Sequence, residues 1–292
     1  MGATRPRNLA SRPGWSAGLV GAGGREDVEV VVAGSRNGSA DDLALAVELA
    51  EAAGARLTEL RRAWTGDEAG LRKAGDAASQ DLLAELLGQA RPADAVLSEE
   101  ARDSPIRLSA DRVWIIDPLD GTREFGEGRD DWAVHVALWQ RTSADSGELT
   151  VGAVALPGRG TVLGSDPSFG ASREVPEPPG RTLRIAVSRT RPPEVAVLVA
   201  EALNAELVPM GSAGYKVTAV VLGDVDAYVH GGGQYEWDSA APVAVARAAG
   251  VHTSRLDGSP LRYNQPDPLL PDLVIARSEV AAPLLAAIAA AS

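Results

Sequence analysis

Residues Arg112-Val113-Trp114-Ile115-Ile116 form a near-continuous apolar run that leads without a break into Asp117-Pro118-Leu119-Asp120-Gly121-Thr122. A short apolar run with no polar alternation reads as a strand buried on both faces. The chain must therefore build a sheet that is covered on each side. Pro118 fixes its own φ and donates no ladder bond, which predicts the end of the strand at that point. Gly121 permits a tight turn or a close backbone approach. Two carboxylates thus stand three residues apart in a bend, with the Leu119 carbonyl between them as a third oxygen donor. Thr122 adds a hydroxyl and a free N–H, and a helix starting there would offer amides to an anion. A bare Asp-Pro is usually an ordinary Asx turn. The whole hexapeptide behind a buried strand is far more specific.

The rest of the composition narrows what such a bend can do. There is no cysteine, which excludes a disulfide scaffold and a thiolate metal site. The three histidines, His135, His230 and His252, include no two at ligand spacing. A metal site would rest mainly on carboxylate oxygen, which favours magnesium, calcium or manganese. The formal net charge of -12 argues against a nucleic-acid polymer as partner. It does not exclude a small anionic substrate, because a bound divalent ion inverts the local field. Two such ions held by bridging carboxylates can clamp phosphoryl oxygens and activate water. Hydrophobic residues make up 45% of the chain, enough for a substantial core. No apolar run is long enough to span a membrane and no secretory signal is evident, so the expected location is the cytoplasm.

Along the chain, residues 1–38 are rich in Gly, Arg, Ser and Ala, with one strand-like stretch at 28–32, and read as a flexible tail. Helical periodicity covers about 41–64 and again about 77–87. Strands follow at 95–97, 112–116, 132–139, 149–156 and 160–164. A Pro/Gly/Glu-rich loop at 166–181 marks a boundary. Beyond it, strand and helix patterns alternate to the C-terminus, ending in a helix at 279–291. Alternation of this kind implies sheets covered by helices.

The run Trp114 to Phe125, ending Arg123-Glu124-Phe125, resembles the signature of the inositol monophosphatase superfamily, and its ending resembles the 3′(2′),5′-bisphosphate nucleotidase (CysQ-type) branch. Further pieces occur in that family's order. They are Asp76, Ser98-Glu99-Glu100, Ser188-Arg189, Gly211-Ser212-Ala213-Gly214-Tyr215-Lys216 and Glu236-Trp237-Asp238-Ser239-Ala240-Ala241. The likeness runs from about residue 40 to the C-terminus.

The resemblance implies an α/β fold, a layered αβαβα sandwich of the inositol monophosphatase / fructose bisphosphatase type. It divides the chain into a tail (1–38), an α+β metal-binding part (39–180) and an α/β substrate-binding part (181–292). It implies two or three magnesium ions held by Glu99, Asp117, Asp120, Asp238 and the Leu119 carbonyl. Asp76 and Thr122 would orient and deprotonate the attacking water with help from Glu99. The substrate would meet Asp120, Gly121, Thr122, Arg123, Ser188, Arg189, Gly211, Ser212, Lys216 and Asp238. The implied reaction removes the 3′-phosphate of adenosine 3′,5′-bisphosphate or its sulfated form, as in sulfur assimilation, with sensitivity to lithium. Homodimers are common in the superfamily.

Plainer readings stand beside these. Asp76 and Asp238 would each serve as a helix N-cap. Lys216 would lie on a solvated helix face, and Arg123 would pair with Glu124 or Glu127. Asp224 and Asp226 read as a loop entering a strand. Trp114, Trp139 and Trp237 read as core. Two departures from the family pattern bear on substrate: Pro242 replaces a glycine, in what reads as the first turn of its helix, and Tyr228-Val229-His230 stands where the nucleotidase branch often has Tyr-Pro-Arg. Inositol phosphate or fructose bisphosphate therefore remains the alternative substrate. A catalytically silent relative would have lost one of Glu99, Asp117, Asp120, Thr122 or Asp238, and all are present.

Overall fold

The computed structural model describes residues 38–144, 146–166 and 181–291. Most of the expected tail, the strand-like stretch at 28–32 and most of the loop at 166–181 lie outside the described residues. The chain forms α1 (Gly38–Ala63), α2 (Glu68–Ala90), β1 (Ala95–Ser98), β2 (Arg112–Asp120), a single turn α3 (Thr122–Gly126), β3 (Ala133–Ser143), β4 (Ser146–Leu156) and β5 (Thr161–Gly164). There follow β6 (Arg184–Ser188), α4 (Glu194–Leu203), β7 (Glu206–Met210), α5 (Ala213–Val221), β8 (Ala227–His230), β9 (Gln234–Tyr235) and α6 (Glu236–Ala248). The last elements are β10 (His252–Ser254), β11 (Leu269–Leu270), β12 (Leu273–Ala276) and α7 (Ser278–Ala291).

Two five-stranded sheets carry the architecture, ordered β1-β2-β3-β4-β5 and β10-β12-β8-β6-β7. Helices α1 and α2 cover the outer face of the first sheet, and Leu49, Leu57, Leu83, Trp114, Ile116 and Val136 form the core between them. Helices α5 and α6 fill the space between the sheets, where Val113, Ile115, Val217, Val243 and Ile275 meet. Helices α4 and α7 cover the outer face of the second sheet over Ile185, Val229 and Val274. The layers are thus αβαβα, as the resemblance implied. β2 has helices on both sides, which is why its sequence carries no polar alternation. Trp114 and Trp139 are core residues, as expected. Asp226 is buried and structural: it accepts from the Arg184 N–H and pairs with Arg181.

Three sequence expectations are corrected by the fold. β2 does not stop at Pro118 but continues to Asp120, with a register shift against β3 between Asp117 and Asp120. The missing N–H of Pro118 falls in that irregularity, the place a sheet tolerates proline. α2 begins at Glu68, not near residue 77, and is capped by the Asp67 carboxylate, which accepts from the Gly70 N–H at 2.8 Å. Its buried face includes Gly75 and Ser79, which hide the apolar period. Pro242 is the seventh residue of α6, not part of its first turn. A proline there leaves the Asp238 carbonyl without its helical partner. Among the described residues, no helix is long and apolar enough to cross a membrane.

Candidate active site

The bulge at the end of β2 turns Asp117 and Asp120 toward the N-termini of α5 and α6. Gly121 follows at φ 86°, ψ 38°, a left-handed conformation that a residue with a Cβ adopts only at a cost. It lets the chain reverse into α3. The bend is braced from α2, where the buried Ser79 hydroxyl donates to the Pro118 carbonyl at 2.7 Å.

Asp120 accepts three hydrogen bonds from the start of α5. Its Oδ2 accepts from the Ser212 hydroxyl at 2.5 Å and the Gly214 N–H at 2.6 Å, and its Oδ1 accepts from the Ala213 N–H at 3.1 Å. These are the first N–H groups of α5, where the helix dipole also favours an anion. Ser212 is held at φ 45°, ψ 136°, a strained conformation that costs about 1–3 kcal/mol. That conformation lets its hydroxyl serve Asp120 while accepting from the Tyr215 N–H. Burial alone would raise the Asp120 pKa, but His135, the Ser212 hydroxyl and Lys216 more than reverse this and hold it at about 2.

Asp117 is equally buried and has the opposite environment. Its Oδ1 accepts from the Leu119 N–H at 3.0 Å, while its Oδ2 is buried with no hydrogen-bond partner. Burial and repulsion by Glu99, Asp120 and Asp238 push its pKa well above the ordinary value for an aspartate. Glu99, just past β1, is exposed as a residue, yet partial desolvation of its carboxyl together with Asp238 and Asp120 raises it to about 7. Asp238, in the first turn of α6, is raised to about 6 by burial and Asp120, even though its Oδ2 accepts from the Tyr235 N–H at 2.6 Å. Asp238 is therefore not the N-cap but the third residue of its helix, bonded back to the N-cap backbone.

Tertiary structure thus gathers four carboxylates from three separate stretches of chain. Their charges repel, and one buried oxygen has no partner. The nearest ligand atoms of Asp117, Asp120 and His135 lie within 4.8 Å of one another. This is a site that a hard divalent cation fits, because an oxygen-rich set with uncompensated charge is what magnesium or manganese binds. The Leu119 carbonyl, the expected fifth donor, accepts from the Thr122 hydroxyl at 3.0 Å.

Asp76 lies inside α2, so capping does not explain it. The Thr122 hydroxyl lies within hydrogen-bond reach of its Oδ1, at 3.3 Å. Burial and the nearby Glu100 raise its pKa to about 6, against the lowering effects of Thr122 and Arg72. A carboxyl poised near neutrality and bonded to a hydroxyl is suited to receive a proton.

The residues expected to meet substrate are distributed differently. Ser212 and Gly211 flank the cluster, and the Gly211 N–H donates to Asp131 at 2.7 Å. Lys216 is not on a solvated face. It is buried, with Nζ donating to the carbonyls of Gly211 at 3.1 Å and Ser212 at 2.6 Å, so its ammonium braces the loop before α5. Arg123 pairs with Glu127 at 2.8 Å. Arg189, just past β6, pairs with Glu124 at 2.9 Å and Glu127 at 2.6 Å. Ser188 ends β6, and its hydroxyl accepts from the Arg191 N–H. His230 ends β8, and burial together with Lys216 lowers its pKa to about 4, so the imidazole is neutral at pH 7. Trp237 is partly buried and stacks on Tyr235, with ring centroids 4.8 Å apart.

Sequence reading gave no role to Asp131, which anchors Gly211, or to His135, which touches Asp120. Asp131 lies in a charged loop and His135 in an apolar strand, and neither position carries a motif.

The chain is 59% identical over 220 residues to the 3′-phosphoadenosine 5′-phosphate phosphatase of Mycobacterium tuberculosis, covering 75% of this chain and 82% of that protein. It is 55% identical over 253 residues to the protein of the same name from Mycobacterium leprae, covering 85% and 93%. It is 33% identical over 205 residues to the 3′(2′),5′-bisphosphate nucleotidase CysQ of Escherichia coli, covering 65% and 78%. In fold it is similar to the crystal structure of CysQ from Bacteroides thetaiotaomicron, with a TM-score of 0.68 and 24% identity over 81% of this chain and 97% of that one. Residues 40–292, which supply every carboxylate of the cluster, match the inositol monophosphatase family, and the chain belongs to it.

Proposed function

We propose that the chain is a magnesium-dependent phosphomonoesterase that removes the 3′-phosphate of adenosine 3′,5′-bisphosphate, giving AMP and phosphate. The observation that carries the chemistry is the cluster of Glu99, Asp117, Asp120 and Asp238, with the partnerless Asp117 Oδ2 among them. The substrate is suggested by the mycobacterial relatives, which bear the name of that activity at 55–59% identity.

Glu99, Asp117, Asp120, Asp238 and the Leu119 carbonyl would hold two or three magnesium ions. Bound magnesium supplies positive charge that offsets the phosphoryl oxygens and activates water. The protein's own part is orientation and proton handling. The Thr122 hydroxyl, bonded to Asp76, aligns the attacking water, and Asp76 takes its proton with help from Glu99. Water adds to phosphorus as the bond to the ribose 3′-oxygen breaks; that oxygen takes up a proton from solvent, and Asp76 returns to solvent the proton it received. The Gly121–Thr122 backbone, turned by the left-handed glycine, is the segment assigned to the phosphate.

The test is kcat/KM for adenosine 3′,5′-bisphosphate, inositol 1-phosphate and fructose 1,6-bisphosphate at one magnesium concentration. The expected result is a clear preference for the nucleotide. A preference for either sugar phosphate overturns the substrate assignment and leaves the metal chemistry standing. Lithium in the same assay is expected to inhibit.

A further inference from the structure

His135 is fully buried in β3, and no part of the reaction described above uses it. It nevertheless lies against two of the three stretches that build the acidic cluster, the end of β2 and the start of α6. Its Nδ1 lies 3.1 Å from the Trp237 carbonyl, one residue before Asp238, and 4.0 Å from Asp117 Oδ2. Its Nε2 lies 3.2 Å from Asp120 Oδ2, out of line for a hydrogen bond. With Nδ1–H donated to the Trp237 carbonyl, the imidazole spans β2, β3 and the start of α6.

The space in front of Nε2 decides between a metal ligand and a brace. A Cβ built on Gly214 would come 1.9 Å from Nε2. The first turn of α5 therefore occupies the place an ion would need on that nitrogen. The ring is locked edge-on between Asp120 and the backbone of Gly214, whose N–H also bonds Asp120.

We propose that His135 is a positioning residue that fixes the spacing between Asp120 and Asp238, and so sets the affinity of the site for its divalent ion without ligating it. The inference rests on the metal reading given above. Partners that orient metal ligands typically change affinity 10–100-fold when removed.

The experiment measures Mn2+ binding to the full-length protein by the loss of the free-ion electron paramagnetic resonance signal. Thermal unfolding of each variant is followed in parallel. His135→Ala is expected to raise the Mn2+ dissociation constant about tenfold or more. His135→Asn, which keeps an N–H for the Trp237 carbonyl, should recover part of that loss. Gly214→Ala keeps the imidazole but leaves it no room, and should weaken binding to a similar degree. This variant keeps the proposal testable even where His135→Ala does not fold. Dissociation constants within twofold of wild type in the variants that fold overturn the proposal, whatever happens to their melting temperatures. A strong nitrogen coupling to Mn2+ in wild type, lost in His135→Asn, overturns it as well, because His135 would then be a ligand. A wild-type protein that binds no Mn2+ sinks the metal reading itself, and this inference with it.

Discussion

Asp117 and Asp120 stand three residues apart, both buried, on one short segment, and their surroundings are opposite. Asp120 faces the N-terminus of α5, where two backbone amides and the Ser212 hydroxyl bond it and His135 lies alongside. Asp117 faces Glu99 and Asp238, with one oxygen unpartnered. The protein supplies the counter-charge on the Asp120 side and leaves it lacking on the Asp117 side. A buried carboxylate is tolerated only when it is paired, protonated or bound to a cation. The contrast therefore divides the site into a half built by the fold and a half completed by a ligand.

Amide substitutions test this division most strongly. Asp117→Asn and Asp120→Asn should each lower kcat by about 10³-fold, because each removes charge from a site worth several kcal/mol of transition-state stabilisation. Their effects on the metal-free protein should have opposite signs. Asp120→Asn strands the donors of α5 and should lose about 1–3 kcal/mol. Asp117→Asn removes repulsion and should melt at or above the wild-type temperature. Two variants that destabilise equally in denaturant titrations would erase the contrast.

A smaller effect is expected beside the cluster. Asp76→Asn should lower kcat by about 10²-fold, the size of a general-base contribution. Binding of Mn2+ should change little, since Asp76 bonds Thr122 and lies outside the four-carboxylate group. A large rise in the Mn2+ dissociation constant would assign Asp76 to metal binding instead.

The mildest test is pH. Glu99 and Asp238, raised to about 7 and about 6, and Asp117, also raised by burial and its acidic neighbours, hold more protons when folded than unfolded between pH 4 and 7. Unfolding free energy therefore falls as pH rises through that window. Glu236, raised to about 7 mainly by burial, adds to the same slope. Asp120, lowered to about 2, acts in the opposite sense and only below pH 4. The metal-free protein should lose several degrees of melting temperature between pH 5 and pH 8, and saturating magnesium should remove most of that loss. A melting temperature that rises over this range without metal would show that the acids are compensated within the chain.

Much of this was legible in the residues. The unbroken apolar run of β2 announced a covered sheet, and the later alternation announced layers. The hexapeptide and the distant Glu99 and Asp238 were recognisable by motif. Local errors had local causes. α2 looked short because Gly75 and Ser79 occupy its buried face, so Asp76 was placed at a helix start. Lys216 looked solvent-facing because a lysine on a short helix usually is. His135 carried no signal, because one polar residue in an apolar strand looks like a satisfied core histidine.

The sequence by itself determined the kind of donor a cation would meet, carboxylate oxygen with no thiolate and no histidine pair, and the family resemblance singled out Glu99, Asp117, Asp120 and Asp238 among its acids. It also determined that β2 must lie between layers, since a strand of that composition finds no stable exposed face. Only the tertiary structure decided which carboxylate is already neutralised. That depends on where the amides of α5 point and on how closely Glu99, Asp117 and Asp238 approach, and electrostatic energy follows distance in space, not separation along the chain.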